Sequence, residues 1–157
     1  MNQYNHEKDG YTLTTDNSMM ELDVIHQYLC EQSYWAKGIP RAVVATSIEN
    51  SLCFGIFYEA KQIGFARLIT DQATFAYLAD VFILPAHRGK GLSKWLLQCI
   101  HAHPSVQNLR RWLLGTLDAH TLYEQFGWTR FTEGVSQRFM QKHDPEVYNL
   151  TMRSISN

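Results

Sequence analysis

Three β-rich runs in succession, Leu52 to Tyr58, Ile63 to Ile69 and Thr74 to Leu84, constrain the fold of this chain more than any other feature. Only the polar turns Glu59 to Gln62 and Asp71 to Ala73 separate them. Connections that short join antiparallel neighbours, so an antiparallel meander is expected. After Pro85 the period changes: Leu92, Trp95, Leu96, Cys99 and Ile100 recur at spacings of three and four, the pattern of an amphipathic helix, until Pro104 stops it. The short run Arg111 to Leu114 follows as a strand. Strand, helix and strand in that order make a crossover whose two strands lie parallel.

The flanks extend this frame. Tyr11 to Thr15 reads as a first strand, with Asp16, Asn17 and Ser18 as capping residues before a helix carrying Leu22, Ile25, His26 and Leu29. A second helix is expected near Pro40, with Val43, Val44 and Ile48 facing inward, and the aromatic-bearing stretch Ser33 to Ile39 links the two. Downstream, Asp118 is the expected N-cap of a final helix ending at Gly127, and Gln137 to Gln141 is a candidate closing strand. The sum is an α/β fold: a mixed, mostly antiparallel sheet of six or seven strands with about four helices on its two faces. With 157 residues, no internal repeat and no Pro/Gly-rich linker, one domain is expected, its core at about 11–141 between a polar N-terminal lead and a C-terminal tail.

Composition removes several classes of function. A net charge of −1 gives no field to hold a polyanion, so neither nucleic acid nor an acidic membrane surface is an expected partner. The polar start of the chain does not resemble a secretory signal and no apolar run approaches a membrane span, so a cytoplasmic location is expected. Cys30, Cys53 and Cys99 are widely spaced and read as reduced core residues. His101 and His103, two apart on a helix, point to different faces and read as surface residues; no metal site is expected.

The segment Val81-Phe82-Ile83-Leu84-Pro85-Ala86-His87-Arg88-Gly89-Lys90-Gly91-Leu92-Ser93 joins a buried strand to the amphipathic helix through a basic, glycine-containing turn. Free N–H groups at a helix N-terminus attract anions, glycines let a phosphate approach the main chain, and Arg88 and Lys90 add charge. The spacing matches neither a P-loop nor the three-glycine dinucleotide fingerprint. By itself the segment is equally an ordinary glycine turn with solvated basic residues.

Arg88-x-x-Gly91-x-Ser93, following Val81-Phe82-Ile83 and Pro85, resembles the acyl-CoA pyrophosphate motif of the GNAT N-acetyltransferases, with Ser93 where the family has Gly or Ala. Leu122-Tyr123-Glu124-Gln125-Phe126-Gly127-Trp128 resembles that family's Leu-Tyr-x-x-x-Gly-Phe segment. The order of expected elements is similar over 11–140. The resemblance implies acetyl-CoA as cosubstrate, held by main-chain groups of Phe82 and Ile83 where the parallel strands splay, and by Arg88, Gly89, Lys90, Gly91, Leu92 and Ser93. It implies the Ile83 N–H as oxyanion donor and Tyr123 as the acid that protonates the departing thiolate, which a phenol of pKa about 10 is able to do at neutral pH. Thr116 and Asp118 lie where the family often has an asparagine, and neither is a clear replacement.

Asp80 interrupts the apolar run Tyr77 to Leu84. A carboxylate there accepts the amine's proton, attracts an ammonium substrate, or simply pairs with Arg67 on the neighbouring strand. The resemblance implies Tyr34, Trp35, Arg67 and Asp71 as candidate acceptor-binding residues, and Asp71 with Asp80 hints at a cationic amine. Cys99 lies on the apolar stripe, which favours direct transfer over an acyl-cysteine. The function expected is acetyl transfer to an amine of a small molecule or of a peptide or protein; the alternative is a non-catalytic acyl-CoA sensor or scaffold. A homodimer is common in such a family.

Overall fold

The computed structural model describes residues 4–149. Its six strands form one sheet in sequence order: β1 (Asn5–Lys8), β2 (Tyr11–Thr14), β3 (Leu52–Tyr58), β4 (Lys61–Thr70), β5 (Phe75–Ile83) and β6 (Arg111–Leu114). Every neighbouring pair is antiparallel except β5 and β6, which run parallel as the crossover requires. Five helices complete it: α1 (Leu22–Gln27), α2 (Arg41–Glu49), α3 (Leu92–Ala102), α4 (His120–Glu124) and α5 (Glu133–Ser136).

Alternation along the strands divides the core between the two faces of the sheet. On one face the stripe of α3, Leu92, Trp95, Leu96, Cys99 and Ile100, packs with Phe54, Ile56, Ala66, Leu68 and Leu78. On the other, Ile25, Leu29, Val44 and Ile48 cover Cys53, Phe65 and Phe82. A single π-helical turn at Tyr28–Gln32 extends α1, its last carbonyl contact being Ser33 N to Tyr28 O at 3.0 Å. Ser33 then organises the following loop, donating to Leu29 O at 2.6 Å and accepting from Ala36 N at 3.0 Å.

Five expectations need correction. The sheet begins at Asn5, not Tyr11: Asp9 (φ 51°) and Gly10 (φ 83°) form a two-residue turn with both residues left-handed, which pairs β1 with β2. All four residues of β1 are exposed, so its sequence carries no alternation. Gln137 to Gln141 forms no strand; Phe139 instead stacks on Phe131 at 4.9 Å and lies beneath the Arg111 guanidinium at 4.7 Å, a side-chain docking beside β6. Asp118 does not cap α4, whose first residues follow a turn in which Thr116 Oγ1 accepts from Ala119 N at 3.1 Å. Val43 points outward and is 41% exposed, while Val44 and Ile48 are buried. His101 and His103 are not surface residues: His103 is buried, and His101 accepts from Trp128 Nε1 at 3.0 Å within a cluster of Trp112, Phe126 and Trp128.

Among the described residues no helix is long and apolar enough to cross a membrane, and no three metal-ligating side chains converge. All three cysteines are free thiols; Cys53 and Cys99 are buried. Of the expected C-terminal tail, residues 150–157 lie outside the described part.

Candidate active site

The site originates in a defect of the sheet. Pairing of β5 with β6 ends at Leu78 and Leu114, yet β5 continues to Ile83. Between the pairs Arg67/Ala79 and Phe65/Phe82, one residue of β4, Ala66, faces two of β5, Asp80 and Val81. This is a β-bulge, with Asp80 in the left-handed region at φ 56°. Past Leu78 and Leu114 the two strands no longer pair, which leaves a gap in the sheet at their C-terminal ends, and the bulge falls within that stretch.

Which main-chain groups face that gap follows from ladder alternation. Leu84 N donates to Ile63 O at 2.8 Å, so Leu84 and Ile63 belong to a bonded pair, Ile83 and Gly64 to a non-bonded one, and Phe82 and Phe65 again to a bonded one. Ile83 therefore turns its N–H and C=O away from β4, and its carbonyl accepts from Arg88 Nε at 2.9 Å. Phe82 is a correction: its main chain faces β4, and its side chain stacks on Tyr28 with centroids 4.0 Å apart at 16°. Of the two residues expected to offer main-chain groups to the gap, only Ile83 turns its N–H and C=O away from β4.

Beyond Ile83 the chain makes one tight turn at Pro85–His87 and reaches α3 through Gly89 (φ 78°) and Gly91 (φ 75°). Nothing lies within 4 Å of where a Cβ would stand on either glycine, so backbone conformation and open approach, not crowding, select glycine there. Gly91 is the N-cap of α3 and no side chain caps the helix, which leaves its first N–H groups open. They face a hollow of about 360 Å³ lined by Ile83, His87, Arg88, Gly89, Gly91, Leu92, Ser93, Lys94 and Leu122.

Two basic side chains are engaged elsewhere. Arg88 braces the turn through the Ile83 carbonyl and, by Nη2, the Tyr28 hydroxyl at 3.1 Å. Lys90 does not line the hollow; its Nζ is 3.5 Å from the Tyr11 hydroxyl, which bonds His87 Nδ1 at 2.8 Å. Lys94, His87 and Leu122 were not singled out from sequence, although Lys94 stands within the first turn of α3, where a cation beside an anion hollow is readable.

α4 forms a wall shared by two hollows. Leu122 lines the one above; Tyr123 lines a second, of about 310 Å³, between Trp112 to Thr116 and Trp128 to Phe131. Tyr123 is buried, and its ring meets Trp128 at 5.9 Å. Burial pushes its phenol up to about 12, and the nearby Tyr34 hydroxyl adds to the rise, so it holds its proton throughout the neutral range.

Across the gap stands the loop after Ser33. Trp35 Nε1 donates to Asp80 Oδ1 at 2.8 Å, Arg67 Nε donates to Asp80 Oδ2 at 2.9 Å, and Arg67 Nη1 reaches Ser51 Oγ at 3.1 Å. Both oxygens of Asp80 are thus occupied in a largely buried ion pair, the pairing with Arg67 weighed from sequence. Tyr34 bonds the far side of the gap, its hydroxyl accepting from Leu117 N at 3.1 Å. Asp71 does not join them. It accepts from Ala73 N, Thr74 N, Thr74 Oγ1 and Phe75 N, bonds that hold its carboxyl far below the usual range and build the β4–β5 turn.

Residues 49–130 match the family model described as the acetyltransferase (GNAT) domain. A protein of Gibberella zeae named as a putative acetyltransferase is 32% identical over 139 residues, covering 76% of this chain and 78% of the relative. An uncharacterized N-acetyltransferase, ycf52, of Pyropia yezoensis is 27% identical over 143 residues, covering 84% and 77%. Among solved structures, a putative acetyltransferase of the GNAT family from Xanthomonas campestris pv. campestris is 46% identical with a TM-score of 0.86, covering 90% of this chain and 99% of that one. A GNAT family acetyltransferase from Elizabethkingia anophelis with acetyl-CoA bound shares the fold at 14% identity and a TM-score of 0.56, covering 76% of each chain.

Proposed function

This chain belongs to the GNAT acetyltransferase family, and from that premise we propose that it transfers the acetyl group of acetyl-CoA directly to the nitrogen of an amine. The observation that carries the reading is that an Ile83 N–H turned away from its ladder and an uncapped α3 N-terminus behind two left-handed glycines share one hollow, while a proton-bearing Tyr123 lines the adjoining hollow on the other side of α4.

The residues present fit acetyl-CoA. The N–H groups at the start of α3, with Lys94 beside them, suit a pyrophosphate; Gly89 and Gly91 leave the approach open. Ile83 offers its N–H as donor to the thioester oxygen, while the second lone pair of its carbonyl remains for a strand-like bond from the pantetheine arm. When bound, acetyl-CoA supplies an activated acyl carbon and a thiolate leaving group. Tyr123 holds the proton that the departing sulfur takes up. Asp80 is a positioning residue in this account: with both oxygens engaged it fixes Trp35 and Arg67 at the mouth of the gap, and the proton lost by the amine passes to water.

We further propose that the chain works as a single domain, since every strand among the described residues belongs to one sheet, and that it resides in the cytoplasm, where free thiols persist. Replacing Tyr123 by Phe tests the catalytic reading. The expected result is a fall in kcat of about 10²–10⁴ with an unchanged acetyl-CoA-induced rise in unfolding temperature. Retained turnover would remove Tyr123 from the mechanism, and absence of turnover in the parent protein would leave an acyl-CoA-binding module.

A further inference from the structure

The face of the sheet beside the gap is only partly covered. α1 and α2 cover β3, β4 and the Phe82 end of β5, but toward the Asp71 turn the strands lie open. Ile69 pairs with Tyr77 and Tyr77 with Leu113, so these three form one row across three strands. All three alternate with residues of the α3 core (Leu68, Ala76, Leu78) or with residues packed against it (Trp112, Leu114), and so face the other side. Ile69 is 43% and Tyr77 38% exposed, and a hollow of about 510 Å³ separates Ile69 from α2, where Val43 is also exposed.

This row meets the gap. The Tyr77 hydroxyl lies 3.5 Å from the position of a Cβ on Gly115, just past the end of β6, and two residues later Leu117 N bonds Tyr34. Tyr34 and Trp35 stand edge to face at 5.0 Å. Their polar tips are tied to Leu117 and Asp80, so what they offer a visitor is ring surface held at fixed angles.

The charges point the same way. Where Trp35 meets this face, the charged side chains are Arg67 and Asp80, and each is already paired with the other. The carboxylates that suggested a cationic acceptor are both engaged, Asp80 in the clamp and Asp71 in its turn. A polycation seated here would lose water without gaining a counter-charge, whereas an apolar or aromatic body would bury itself against matching surface.

We infer that the acceptor is a small primary amine carried on an aromatic or apolar body, an arylalkylamine, bound against Trp35, Tyr34, Tyr77 and Ile69. The inference rests on the acetyl transfer proposed above. It is tested by comparing kcat/KM for 2-phenylethylamine, spermidine and a lysine-containing peptide, with the acetyl-CoA-induced rise in unfolding temperature measured on the same protein. The expected result is a preference for 2-phenylethylamine of about tenfold or more. Trp35→Ala and, independently, the surface change Ile69→Asp should each raise its KM severalfold while leaving the acetyl-CoA response intact, and Ile69→Asp should narrow the gap to spermidine. A preference for spermidine or the peptide, or no acetylation of 2-phenylethylamine while acetyl-CoA still raises the unfolding temperature, overturns the inference. Loss of the acetyl-CoA response itself would instead overturn the transfer reading beneath it.

Discussion

Backbone conformation at single residues shows where this chain is under local strain. Among the described residues, five other than glycine adopt positive φ: Asp9, Glu59, Ala60, Gln72 and Asp80. Four of them sit in the β1–β2, β3–β4 and β4–β5 turns, and Glu59 with Ala60 (φ 48° and 63°) forms a two-residue turn that normally demands Asn or Gly. Ala60→Gly should therefore stabilise the fold by about 0.5–1 kcal/mol, relief of the left-handed cost less the added unfolded-state entropy. A thermal melt should register this as a rise of about 1–4 °C, and a fall would show that the turn is not strained. Asp80 differs, because its bulge orients a clamp at the candidate site. The sequence marked Asp80 as anomalous and left its role open between base, attractor of an ammonium substrate and ion pair. The bonds that engage both its oxygens come from a register that sets Arg67 opposite Ala79 and from a loop 45 residues distant that delivers Trp35, neither of which is local in sequence. Asp71 was misread for the opposite reason: its four bonds are local, within Asp71 to Phe75, and an Asx turn was there to be recognised.

Whole elements were more legible than their edges. The three meander strands and α3 follow from periodicity, since a half-buried strand and an amphipathic helix must alternate polar and apolar positions. β1 escaped because all its residues are exposed, and only the Asp9-Gly10 turn announced it. The segment 137–141 looked like a strand because its aromatic and apolar residues answer equally to side-chain docking, which is what Phe139 does. At the β5–α3 junction the element's function and its geometry make the same demand. Gly91→Ala should cost about 1–2 kcal/mol from the left-handed cap and lower the melting temperature by about 2–8 °C. It should also weaken acetyl-CoA binding at a temperature where the variant remains folded, as read by titration. Unchanged affinity would mean that the start of α3 does not receive the cofactor.

The molecule as a whole buries titratable groups on both sides of neutrality. His101 and His103 are lowered by burial, so below about pH 6.5 the unfolded chain takes up protons that the folded one resists, and stability falls with pH. Burial raises Cys99 to about 11 from 9.0, Cys53 to about 12 from 9.0 and Tyr123 to about 12 from 10.0. Their stabilising contribution is full below pH 9, and it is lost as pH climbs through 11 to 12. Melting temperatures at about pH 5 and about pH 10.5 should both lie below that at about pH 7.5, and a flat profile would contradict the burial of these groups. At neutral pH the most direct test of the account is the unfolding temperature with and without acetyl-CoA, ATP and NAD serving as controls. At about 100 times its Kd acetyl-CoA should add about 2.7 kcal/mol, a rise of about 5–10 °C that neither control reproduces. No rise at saturating concentration, or an equal rise with ATP, would contradict a site built from Ile83, the two left-handed glycines and the open start of α3.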